Sequence, residues 1–157
     1  EVMFSRFLVI VLVTIYCNTY SVAYAADCQD GKIHEIRMLN KSKIDPKMKM
    51  VFEPSFILAV SGDCIKFIPT SKGHNSEIIK GMIPKGAEKF KSKINKELTV
   101  KLDIEGLYGI KCKPHYQMGM IALIQVGEIS KSVVKKASKV KHRGKAKDRF
   151  KGLFDKL

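Results

Sequence analysis

The chain has 157 residues, a length that suits one domain and is short for two. Hydrophobic residues make up 45% of the chain, which is typical of a globular protein and argues against a disordered one. The formal net charge of +14 does not indicate a fold, but it predicts long-range attraction to negatively charged partners.

The first 25 residues are typical of a secretory signal peptide. Arg6 precedes an apolar run over 7–15, and Ala23 and Ala25 form a small-x-small cleavage pattern. The apolar run is short for a membrane span, although an uncleaved anchor is the alternative. We therefore expect export, cleavage after Ala25, a mature chain that starts at Ala26, and no membrane insertion afterwards.

Short β-forming segments separated by turn signals predict an all-β sandwich. Pro54 interrupts the second of these segments and indicates a bend or an edge. Leu98, Val100 and Leu102 alternate with polar residues, so we expect them to face the core. The segment 79–95 is richer in Gly, Pro and Lys and is predicted to be irregular, with one helical turn at most. The predicted strands are 33–39, 51–60, 64–68, 98–102, 108–112 and 120–126.

The composition changes after Gly127. Residues 130–157 contain 11 Lys or Arg against 2 Asp. Apolar residues recur at helical spacing near the end of the chain, and a shorter helix is predicted before them, with Gly144 between the two. We expect both helices to pack on the sandwich; the competing hypothesis is a basic amphipathic helix for a membrane surface or nucleic acid. The apolar positions are Val133, Val134 and Ala137 in the first helix, and Phe150, Leu153, Phe154 and Leu157 in the second.

The stretch from Cys112 to Met120 has the spacing C-x2-H-x4-M, which places a thiol, the imidazole of His115 and a thioether within nine residues. A second imidazole, His74, lies upstream. One thiolate, two imidazoles and a weak thioether form the ligand set of a blue-copper centre. Zinc is a weaker alternative because structural zinc prefers four firm N or S ligands. A catalytic Cys/His pair lacks a third orienting group, and the remaining alternative is a surface histidine beside methionines of the core.

Whether the other cysteines of the exported chain are bonded to each other is an open question. If Cys112 binds a metal, Cys28 and Cys64 remain, and an oxidising compartment would allow them to form a disulfide. The alternative is that both are buried thiols that behave as small hydrophobic residues.

Several motifs in fixed order resemble the pseudoazurin family. They are the runs 62–75, 79–84, 90–95 and 108–120, and the similarity extends from about 35 to 126. The resemblance implies a Greek-key cupredoxin sandwich over 26–127 and two basic helices over 128–157 packed on it. It also implies one type 1 copper and a periplasmic electron carrier that is not an enzyme. Family members donate electrons to nitrite reductase or to cytochrome-type reductases and peroxidases, so acidic redox proteins are the expected partners.

The resemblance also implies roles for individual residues. The metal ligands would be His74, Cys112, His115 and Met120. The backbone N–H of Asn75 would approach the cysteine sulfur while its side chain ties the two ligand loops. Pro114 lacks a backbone N–H and so cannot add a second donor near that sulfur. The predicted docking surface combines an apolar patch with a lysine rim, and its residues are Met50, Pro114, Met118, Lys41, Lys72, Lys111 and Lys113.

Three functions compete at this stage. The first is a one-electron carrier, and the second is copper sequestration or delivery with the same ligands. The third and weakest is a cationic surface-binding module with a degenerate copper motif. We expect a monomer that binds no nucleic acid, and we predict that His34 and His142 are ordinary surface residues without a role.

Overall fold

The computed structural model describes Cys28 and residues 30–157, so the predicted signal peptide lies outside the described residues. The described part of the chain forms eight strands followed by two helices. The strands are β1 (Ile33–Lys41), β2 (Lys49–Glu53), β3 (Phe56–Ala59), β4 (Cys64–Ile68), β5 (Glu77–Ile78), β6 (Leu98–Lys101), β7 (Gly106–Lys111) and β8 (Ile121–Val126). The helices are α1 (Lys131–Ser138) and α2 (Lys145–Phe154).

The strands form two four-stranded sheets, with the orders β2-β1-β4-β6 and β3-β8-β7-β5. The pairs β1–β4 and β3–β8 are parallel, and the other pairs are antiparallel. The inner faces of both sheets share one apolar core, in which Phe67 contacts Phe52 and Phe90 at ring-centroid distances of 6.0 and 5.9 Å. The predicted all-β sandwich with two C-terminal helices is confirmed.

The predicted strand over 51–60 is two strands in the structure. β2 ends at Glu53 and β3 begins at Phe56, and the two lie in different sheets. Pro54 has no N–H to donate, so the ladder of β2 cannot continue through it. The segment 79–95 is irregular, as expected, and contains hydrogen-bonded turns but no helix. The two-residue strand β5 was not predicted, because two residues show no periodicity.

Both helices pack on the outer face of the second sheet. Phe150 and Leu153 of α2 are buried, and they join Leu123 of β8 in a second apolar cluster. This packing explains the apolar run 121–124 in β8, because one face of the strand contacts the inner core and the other contacts the helices. Leu157 is 40% exposed, because α2 ends at Phe154 and the predicted stripe stops there. Within the described residues, neither helix is long and apolar enough to span a bilayer.

The end of the sandwich where β4 begins is closed by a disulfide and a buried carboxylate. Cys28 and Cys64 form the disulfide. Asp63 accepts a hydrogen bond from His34 Nε2 at 2.8 Å, and the side chain of that histidine is only 11% exposed. Burial would raise the pKa of Asp63, but the bonds from His34 and from the backbone N–H groups of Val60 and Lys32 hold it below its usual value. The prediction that His34 is an ordinary surface residue is wrong.

Candidate metal centre

Three donor atoms meet at the opposite end of the sandwich. His74 follows β4 after a short turn, Cys112 follows β7, and His115 lies in the loop before β8. The two Nδ1 atoms are 3.1 Å apart, and they lie 3.8 Å (His74) and 3.6 Å (His115) from the Cys112 sulfur. The circle through these three atoms has a radius of about 2.0 Å, close to a metal–imidazole bond length. The triangle therefore fits a single metal ion.

The imidazole of His74 is held in one tautomer. Its Nε2 donates to Oδ1 of Asn40 at 2.8 Å, and an amide oxygen can only accept. The proton is thus on Nε2, and the Nδ1 lone pair is directed toward His115 and Cys112. Burial lowers the pKa of His74, and the neighbouring His115 lowers it further, so the ring is kept neutral as a metal ligand must be. Sequence reasoning missed Asn40.

The loop from Cys112 to Met120 is a compact series of turns. The backbone N–H of Met120 donates to the carbonyl of His115 at 3.2 Å, and the N–H of Cys112 donates to the carbonyl of Met120 at 3.0 Å. These bonds bring the two ends of the loop together. Met120 is fully buried in the core cluster that also contains Cys112, so its thioether lies at the same end of the sandwich.

Burial, nearby backbone N–H groups and a carboxylate all affect the pKa of the Cys112 thiol. Burial raises the pKa of the Cys112 thiol, backbone N–H groups of Asn75 and His115 lower it, and the charge of Glu77 raises it. Asn75 thus approaches the sulfur as the resemblance implies. Pro114 has no N–H to direct at the sulfur; the N–H of His115, which lowers the pKa of the Cys112 thiol, also donates to the Cys112 carbonyl at 3.2 Å.

Asn75 also connects the two ligand loops. Its Oδ1 accepts from the backbone N–H of Lys113 at 2.8 Å, and its Nδ2 lies 3.5 Å from the carbonyl of Ser92. The His74 turn receives further support from Asn95, whose Oδ1 accepts from the N–H of Gly73 and whose N–H donates to the carbonyl of His74. The irregular segment before β6 therefore fixes the position of His74, a role that its sequence did not predict.

The predicted docking residues lie in different environments. Pro114 and Met118 are exposed next to the half-buried His115, whereas Met50 is partly buried against the core. Three of the four predicted rim lysines are exposed; they are Lys41, Lys72 and Lys113. Lys111 is less free, because its Nζ lies 3.3 Å from a carboxylate oxygen of Glu77 and 5.5 Å from the ring centroid of Tyr116.

His142 packs behind the metal loop. Its ring stacks on Phe150 at a centroid distance of 4.2 Å, and its Nδ1 lies 2.5 Å from the hydroxyl of Tyr116. Burial lowers the pKa of His142, which keeps the ring uncharged. The prediction that His142 is an ordinary surface residue is therefore wrong. A histidine in a run of basic residues has no sequence signal that distinguishes packing from exposure.

A β-sandwich that holds two imidazoles and one thiol around a single point defines a small copper-binding protein, since this mixed donor set suits copper. Residues 38–127 match the family described as "Copper binding proteins, plastocyanin/azurin family". The pseudoazurin of Paracoccus pantotrophus is 53% identical over 95 residues, which cover 60% of this chain and 63% of that protein. This chain thus spans less than two thirds of that relative's length.

One further relative, from strain AM1, matches more of its own length, both as a sequence and as a solved structure. The pseudoazurin of Methylorubrum extorquens is 44% identical over 122 residues, which cover 78% of this chain and 80% of that protein. The crystal structure of pseudoazurin from Methylobacterium extorquens AM1 superposes with a TM-score of 0.73 at 44% identity, covering 80% of this chain and 98% of that one. The chain therefore belongs to the plastocyanin/azurin family of copper-binding proteins and, within it, to the pseudoazurins. Copper is its cofactor, as predicted.

Proposed function

We propose that this chain is a periplasmic blue-copper electron carrier in which His74, Cys112, His115 and Met120 hold the metal. The observation that carries the proposal is the triangle of two Nδ1 atoms and one Sγ, which needs only a metal at its centre. The His74 corner is fixed in the ligating tautomer by Asn40.

Copper bound in this triangle supplies a one-electron Cu(II)/Cu(I) couple. The chain's contribution is to keep the donors in place in both oxidation states. Cys112 lies at the end of β7, and Asn75 joins its loop to the His74 turn. Two backbone N–H groups near the sulfur withdraw electron density from it, and such bonds adjust the reduction potential of a metal–thiolate site. The buried sulfur and His74 exclude water from their side of the site.

Electrons leave through the side of the site that reaches the surface. His115 is half-buried and is the most exposed of the four proposed ligands. Pro114 and Met118 provide exposed apolar surface beside it. An apolar contact area with a charged rim favours complexes that form quickly and dissociate quickly, which an electron carrier requires.

The location is inferred from cysteine chemistry and the export signal, and the charge of the partner's docking face is inferred from the exposed lysines. The disulfide between Cys28 and Cys64 suits an oxidising compartment, and residues 1–25 have the pattern of an export signal. The exposed rim lysines favour a partner with an acidic docking face. The resemblance to the pseudoazurins, and not the charge, suggests the identity of the periplasmic acceptor, which we infer to be nitrite reductase or a cytochrome-type reductase or peroxidase.

Redox cycling in the presence of a chelator separates electron transfer from copper delivery. The protein is loaded with Cu(II), then reduced with ascorbate and reoxidised repeatedly while a Cu(I) chelator is present. A carrier retains its copper through these cycles because the four ligands hold both oxidation states. Progressive transfer of copper to the chelator would contradict the proposal and favour sequestration or delivery.

The rim is tested by the salt dependence of electron transfer. Lys72→Gln and Lys113→Gln should each lower the second-order rate constant with an acidic acceptor at low ionic strength, and the difference from the parent should vanish at high salt. Lys135→Gln is the matched control, because this exposed residue lies on α1. Equal effects of all three substitutions would mean that overall charge, and not the rim, guides the encounter.

A further inference from the structure

The side chain of Arg149, on α2, forms hydrogen bonds to the metal loop and to the first two residues of β2. Its Nη1 donates to the carbonyl of Gly119 at 2.5 Å and to the carbonyl of Met50 at 2.9 Å, and its Nη2 donates to the carbonyl of Lys49 at 3.0 Å. None of the ion pairs among the described residues includes this guanidinium. Three backbone carbonyls therefore take the place of a carboxylate partner.

Two glycines allow α2 to approach the loop this closely. Gly119 has a φ of +92°, and a Cβ there would lie 2.8 Å from the side chain of Arg149. Gly144, which precedes α2, has a φ of +57°, and a Cβ there would lie 2.3 Å from the carbonyl oxygen of Gln117. That same carbonyl accepts from the backbone N–H of Lys145 at 2.9 Å. The helix is thus hydrogen-bonded to two carbonyls of the metal loop, those of Gln117 and Gly119.

The bonded carbonyls belong to residues that matter for the site. Gly119 directly precedes Met120, so a bond to its carbonyl restricts the peptide that places the thioether. Met50 belongs to the predicted docking surface and has a φ of +50°, a left-handed conformation that is unfavourable for a non-glycine residue. The planar guanidinium can hold both carbonyls at once, because its donors form a rigid fork.

We propose that Arg149 is a positioning residue for the copper site: it fixes the loop end that carries Met120 and joins it to the segment of Met50. This inference rests on the proposed ligand set. It gives the C-terminal helices a function beyond covering the sheet, since α2 becomes a support of the metal centre. Arg149 does not touch the donor atoms, so its effect passes through the backbone of the loop.

Substitutions of Arg149 test the inference on the Cu(II)-loaded full-length mature protein. Arg149→Met removes all three hydrogen bonds, Arg149→Gln keeps one donor group, and Arg149→Lys keeps the charge without the fork. Loss of an outer hydrogen-bonding partner typically lowers metal affinity by about 10–100-fold. We expect a loss in this range for Arg149→Met, a smaller loss for Arg149→Gln, and partial rescue by Arg149→Lys. Lys147→Met is the control, because it removes one exposed charge from the same helix.

The readouts are Cu(II) affinity by chelator competition and the electron paramagnetic resonance spectrum, which responds to the axial ligand. Lower affinity together with an altered spectrum supports the positioning role. Normal affinity and an unaltered spectrum overturn it, even if thermal stability falls, because that result shows a purely structural contact. Arg149→Gln decides in the same way if Arg149→Met does not fold. A parent protein that forms no blue site with Cu(II) would instead contradict the proposed function itself.

Discussion

Removal of the disulfide between Cys28 and Cys64 should lower the stability of the fold and leave the copper site intact. The two cysteines are 36 residues apart. Closing a loop of this length restricts the unfolded chain by an amount equivalent to about 4 kcal/mol at 25 °C in the chain-entropy treatment, and measured effects are typically about 2–4 kcal/mol. Cys64 is fully buried, so alanine is the better replacement there, whereas serine suits the half-buried Cys28.

The assay is urea unfolding of the metal-free double variant beside the parent. With a urea m-value of about 2 kcal/mol/M, the midpoint should fall by about 1–2 M. The visible spectrum of the copper-loaded variant should not change, because Cys64 begins β4 whereas His74 follows its other end. A stability loss below about 1 kcal/mol would refute the reasoning. So would an equal number of alkylated cysteines with and without prior reduction of the denatured parent, because among the described residues Cys112 alone is free to react before reduction.

Three other predictions follow from contacts around the site. Asn75→Ala removes two hydrogen bonds, one of them from the N–H of Lys113, and should cost about 2–4 kcal/mol in urea unfolding of the metal-free protein; an unchanged unfolding midpoint would contradict this. Phe150→Ala should lower the free energy of unfolding by about 3–5 kcal/mol in the same assay, because the residue is 1% exposed between α2 and the sheet. A loss below about 1 kcal/mol would mean that the helices are not tightly packed on the sheet. Burial lowers the pKa of His142, so the unfolded state binds a proton at this ring more readily than the folded state does. The free energy of unfolding should therefore fall as the pH drops below about 6.5. His142→Gln should reduce the slope of this free energy against pH between about 7 and 5.5, and an identical slope would contradict the assignment.

The parts of the centre that the sequence predicted are local in the chain. Cys112, His115 and Met120 lie on one loop, so their spacing could be interpreted directly. His74 was selected by the ligand set and the family resemblance, and the structure brings its Nδ1 to the other donors. The burial of Phe150 and Leu153 was also predictable, because helical spacing of apolar residues indicates which face is covered.

The parts that were missed depend on contacts between distant polar residues. Asn40, which fixes the tautomer of His74, is separated from it by 34 residues in sequence. Arg149 is separated by 30 residues from Gly119 and by 99 from Met50, whose carbonyls it binds. Such pairs have no periodicity in the sequence. Arg149 lies among many other basic residues, so the sequence does not distinguish it from exposed ones. The disulfide remained open for a related reason: two cysteines far apart in sequence do not reveal the distance between their Cα atoms, which is 6.0 Å here.

The visible spectrum of the purified mature protein after addition of Cu(II), with Cys112→Ser measured alongside, tests the proposed copper site most directly. An intense blue thiolate-to-copper band that ascorbate bleaches, and that is absent in the variant, is the predicted result. A colourless protein that still binds copper, or one that binds only zinc, would contradict the account, because the donors would then be present without the trigonal geometry of a blue-copper site.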